Sequence, residues 1–197
     1  MKTTNTFDTR KLVLLALLTA IVVVLQVLAA ALPIYPFTLT LVLIPMAIGA
    51  ALVNTLAGGW LGLVFGLVVL LTGNANAFLA VNPVGTVVVV ILKGVLAGLA
   101  SGAVYRLIAS KSRTAGAVVA AVICPIVNTG VFIIGSYLFF LPTITQWGEA
   151  AGFKNATAFI FLGMISFNFL FELGLNLILS PAIVRLIQYG QDRRAIA

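Results

Sequence analysis

The chain has no histidine and a single cysteine, Cys124, among its 197 residues. Disulfides, cysteine metal clusters and histidine-based catalysis are therefore excluded within it, and no metal site or cofactor is expected. Charge is scarce as well: charged residues make up 8% of the chain, with 4 acids against 11 Lys and Arg. The serines have no histidine as a base, and no glycine-rich loop carries a phosphate-binding lysine, so the chain does not read as an enzyme. A motor or catalytic domain, if one is needed, belongs to another chain.

What is present is apolar. Hydrophobic residues make up 62% of the sequence, and the mean hydropathy of +1.25 lies outside the soluble globular range. The expected fold is an all-α integral membrane protein, one domain over residues 1–197 with six transmembrane helices near 12–32, 38–56, 58–71, 84–106, 115–141 and 157–187. The first run could be mistaken for a secretory signal, but it is longer than a usual signal core and is read as a retained span. Pro33, Tyr35 and Pro36 mark a loop after it, and Pro45 predicts a kink in the second span. Residues 72–83 and 142–155 read as polar loops.

Basic residues give the orientation. Lys2, Arg10 and Lys11 precede the first span; Arg106, Lys111 and Arg113 join the fourth to the fifth; Arg185 lies at the end of the sixth, with Arg193 and Arg194 beyond it. Only Lys154 falls on the other side, so both termini are expected in the cytoplasm. The formal charge of +7 thus marks topology in a multi-pass, lipid-embedded chain, and no nucleic-acid partner is expected.

Against this background Lys93 stands out. It lies about 14 Å along the fourth span, where an unpaired ammonium is unfavourable by about 2.5–3.5 kcal/mol. Gly94, Gly98 and Gly102 follow it at four-residue spacing, and Gly58, Gly62 and Gly66 repeat the pattern in the third span, so both rows read as close-packing faces. On the sixth span Asn168, Glu172 and Asn176 share one helical face, and Glu172 is the acid inside a span. Lys93 therefore either forms an ion pair with Glu172 or faces an anionic ligand, and the two roles can coexist. Asn128 and Thr129, in the outer half of the fifth span, suit hydrogen bonds to a ligand or between helices. Asn74, Asn76 and Asn82 supply further amide groups in the outer loop around Phe78 and Leu79.

In the first span Ala16 and Ala20 frame Leu17-Leu18-Thr19, and Asn-Thr-Gly-Val-Phe stands at 128–132. With the length, the six runs and the basic fourth connection, the chain resembles the substrate-binding S components of energy-coupling factor (ECF) vitamin transporters. That resemblance covers essentially the whole chain. It implies a high-affinity vitamin-binding protein of a bacterial cell membrane, partnered by a transmembrane coupling subunit and two cytoplasmic ATPases. It also implies that Ala16 and Ala20 dock on the coupling subunit. A ligand site is implied in the outward half, where Asn74, Asn76, Asn82, Lys93, Asn128, Thr129 and Asn168 lie.

One cation among amides suits a small hydroxylated or amide-bearing carboxylate. Pantothenate is the first choice; riboflavin, folate and hydroxymethylpyrimidine are alternatives. The outer segments read as too poor in aromatics to stack thiamin, with Trp60 and Trp147 too scattered for a platform. A stand-alone secondary transporter or a ligand-free membrane scaffold would share the same spans.

Overall fold

The computed structural model describes residues 9–31 and 41–195, without the side chains of 167, 168, 186–188 and 190–195. The expected loop at Pro33, Tyr35 and Pro36 lies outside the described residues. All regular structure within them is helical. The elements are α1 (Thr9–Ala31), α2 (Leu43–Leu52), α3 (Thr55–Leu71), α4 (Asn76–Val81), α5 (Pro83–Ala109), α6 (Arg113–Phe139), α7 (Leu141–Ala150) and α8 (Ala156–Ala158). A π-helical stretch, Phe159–Ile165, then leads into α9 (Ser166–Ala195).

Four helical stretches are long and apolar enough to cross a membrane: Thr9–Ala31, Pro83–Ala109, Arg113–Phe139 and Ala156–Arg185. The two shorter apolar helices, α2 and α3, complete the bundle differently. Eight of the ten residues of α2 are buried, so it is an internal element rather than a lipid-facing one. Pro45 falls in the first turn of α2, where the amide it lacks has no partner inside the helix. The chain breaks at Val53 and Asn54, not at Ala57. Asn54 caps α3 by accepting from Ala57 N at 2.7 Å, and Gly58-Gly59 lie inside that helix.

The glycine rows explain the centre of the fold. A Cβ on Gly62 would meet the carbonyl oxygen of Gly94, and one on Gly98 would meet that of Gly58. A Cβ on Gly66 would lie 3.0 Å from Val90 O. The two rows therefore face each other in antiparallel register, and α3 and α5 touch backbone to backbone. On its other side α5 packs along α6, which in turn packs on α9. Ser101 Oγ donates to Ala120 O at 3.0 Å across the α5–α6 contact.

Two stretches read as loops contain helices. Gly73, at φ 82°, turns the chain into α4, and Asn82 then caps α5. The 142–155 segment begins with α7, which has Pro142 in its first turn and buries Ile144 and Gly148 on one face. Both helices are short, so neither presents enough turns for a periodicity to be visible in sequence. Their apolar side chains close one end of the bundle: Phe140 and Ile144 join Ile160 and Ile165 in a core, with Phe78 and Trp147 packed against it.

Candidate functional site

A cavity of about 240 Å³ opens between α4, α5, α6, the π-helical stretch and α9. Its polar wall consists of Asn74, Lys93, Asn128, Thr129 and Glu172. Phe78, Phe132, Met164, Ile165 and Phe169 form the apolar wall. Each helix contributes for a local reason. The seam with α3 fixes α5 and hence the height of Lys93, whose neighbour Gly94 lies against Gly62. The π-helical stretch lies immediately before α9, bringing Met164 and Ile165 to the same wall as Phe169 and Glu172; such stretches recur at functional sites.

Lys93 is half-buried between aromatic rings. Its Nζ lies 5.7 Å from the ring centroid of Phe65 and 5.6 Å from that of Phe132, cation–π distances worth about 0.5–2 kcal/mol each. Glu172 is buried on the α9 wall of the same cavity. An ammonium has three donors, so a carboxylate on one side leaves others for a ligand.

Asn128 is the most informative residue. Its side chain is 7% exposed, and Oδ1 has no hydrogen-bond partner among the described residues. A buried acceptor without a partner costs about 1–3 kcal/mol, and this one belongs to a residue that lines the cavity.

The family model for the substrate-specific component of ECF transporters matches residues 10–184. The chain belongs to this family. No curated protein and no solved structure matches it. Substrate-specific components bind a small-molecule substrate for a transporter and work with the ECF module; they are not enzymes. The apolar helices fit a membrane protein of that kind.

In this S component the residues singled out by sequence separate into groups. Asn74, Lys93, Asn128 and Thr129 meet around one cavity with Glu172. Asn82 does not line it: its Oδ1 accepts from Gly85 N at 2.9 Å as the cap of α5. Asn76 is the first residue of α4, beside Gly73, and is likewise not part of the lining. Asn168 is on α9, but its side chain lies outside the described residues. Ala16 and Ala20 are exposed on α1, which buries Leu18, Val22 and Gln26 on its inner face.

The aromatic wall is a correction to the sequence reading. Phe78 meets Phe132 edge to face at 5.8 Å, Phe140 at 4.9 Å and Trp147 at 5.6 Å. Trp147 thus braces the aromatic group that roofs the cavity. Trp60 is elsewhere, donating from Nε1 to Thr19 Oγ1 at 3.2 Å. These rings were missed because a phenylalanine in an apolar span looks like any lipid-facing residue. The usable signals were Phe78 beside the loop asparagines and Phe132 one turn beyond Asn128.

Proposed function

We propose that this S component captures pantothenate in the cavity between α4, α5, α6 and α9, for import by a coupling subunit and two ATPases in a bacterial cell membrane. The observation that carries the reading is the convergence of Lys93, Asn128, Thr129 and Glu172 on one cavity. A carboxylate pairs with Lys93, hydroxyl groups donate to Glu172, and the ligand amide donates to Asn128 Oδ1. Size favours a small vitamin: about 240 Å³ lies below the roughly 300–1,000 Å³ of sites for drug-sized ligands, which disfavours riboflavin and folate.

A second reading has its own support. Phe78, Phe132 and Phe169 together with Glu172 suit hydroxymethylpyrimidine, whose ring would pack on the aromatics and whose amino group would donate to the carboxylate. Mass spectrometry of the ligand that co-purifies separates the two. In titration calorimetry, Lys93→Ala and Asn128→Ala should each weaken pantothenate binding by roughly 10- to 100-fold while the protein stays folded. Unchanged affinity in both variants would remove this site. Glu172→Gln should lower affinity too; a loss of folding with no change in affinity would leave Glu172 only the ion-pair role.

A further inference from the structure

A second, smaller space adjoins the cavity. It holds about 80 Å³ and meets the main cavity along Asn74, Phe78, Lys93 and Phe132. The rest of its wall is Val69, Ala75, Thr86, Val89, Val90 and Phe140, all buried. Thr86 adds no free donor, because its Oγ1 already donates to Asn82 O at 2.8 Å. Beyond the shared mouth the Thr86 hydroxyl oxygen, still able to accept, is the one polar side-chain atom of the annex residues, and the other side chains offer carbon. A stable buried water needs two to four polar partners, so this space suits carbon rather than water.

Its dimensions restrict what can enter. The annex is a third of the size of the main cavity, about 80 Å³ against about 240 Å³, so it takes a compact group rather than a whole ligand. Phe78 and Phe132 stand edge to face at its mouth. Lys93 lies at the junction of the two spaces.

We infer that the annex is an apolar subsite that selects small carboxylates bearing a compact branched aliphatic group: the anionic end lies at Lys93 and the branched carbons fill the space behind Phe78 and Phe132. This rests on the main cavity being the ligand site, but not on the identity of the vitamin.

The test uses two fragments on the purified full chain, 3,3-dimethylbutanoate and propanoate. The branched acid should bind roughly tenfold more tightly, as expected for the extra buried methyl groups. Ala75→Leu fills the annex and should reduce that preference to about twofold or less while leaving propanoate binding unchanged. Ala75→Val, a smaller change, should give an intermediate preference and keeps the test decisive if the leucine variant does not fold. An equal affinity for both acids in the wild type, or a preference that survives in the folded variants, overturns the inference. Binding of neither acid removes both the subsite and Lys93 as an anion site. Pantothenate is titrated alongside. If it fails to bind while the fragments behave as expected, only the vitamin assignment falls.

Discussion

The asparagines of this chain show how one residue type divides between building and binding. Asn54, Asn82 and Asn155 sit at helix N-termini and accept from Ala57 N at 2.7 Å, Gly85 N at 2.9 Å and Ala158 N at 2.8 Å. Asn74 and Asn128 line the cavity instead. Asn82→Ala should therefore cost about 1 kcal/mol of stability through the lost cap, with pantothenate affinity kept within about twofold. Thermal unfolding and calorimetry on one preparation check both halves, and a large affinity loss would move Asn82 into the site. Lys93 and Asn128 were legible in the sequence because a charge or amide inside an apolar run is costly without a partner. Phe78, Phe132 and Phe169 were not, since burial of an aromatic beside a polar group costs nothing that a sequence reveals.

At the level of elements the glycine seam sets the geometry of the site. Its register pairs Gly58 with Gly98 and Gly62 with Gly94, so the helix that carries Lys93 is held against α3 without intervening side chains. Gly62→Ala places a methyl group against the Gly94 carbonyl and forces the helices apart. The expected loss is about 2 kcal/mol, accompanied by weaker ligand binding as Lys93 shifts. Gly174→Ala is the contrast, because its Cβ would meet no atom within 4 Å. That variant should be neutral or stabilising by up to about 1 kcal/mol. Equal melting temperatures for the two would contradict the seam as a determinant. The four-residue glycine spacing was visible in the sequence, and so was the close approach it permits. Which row met which was not, because a spacing carries no partner. The break between the second and third spans was placed a few residues late, at 57, because the cap that sets it, Asn54, is a single residue inside an otherwise apolar run.

The whole molecule must be oriented in a membrane before capture can become transport, and we propose both termini in the cytoplasm, with α2 and α3 completing six crossings. The Lys and Arg distribution supports this, with Lys154 the lone basic residue on the outer side. The buried Cys124 makes a direct check simple. In a Cys124→Ala background, Ala151→Cys should react with a membrane-impermeant maleimide in intact cells, and Ser110→Cys only after permeabilisation. The reverse pattern inverts the chain and puts the cavity on the wrong side for uptake. The same orientation places Ala16 and Ala20 toward the cytoplasmic end of α1, on an exposed face with Val13 and Leu17. Thr19, between them, holds Trp60 of α3, so α1 is anchored from its inner side while the small residues remain outward. Small side chains permit close helix contact where lipid supplies no hydrophobic drive, which is the property a coupling subunit requires. Ala16→Trp and Ala20→Trp should each block co-purification with the coupling subunit and leave pantothenate affinity within about twofold, since neither residue lines the cavity. Retained co-purification in both variants would assign docking to a different face of the bundle.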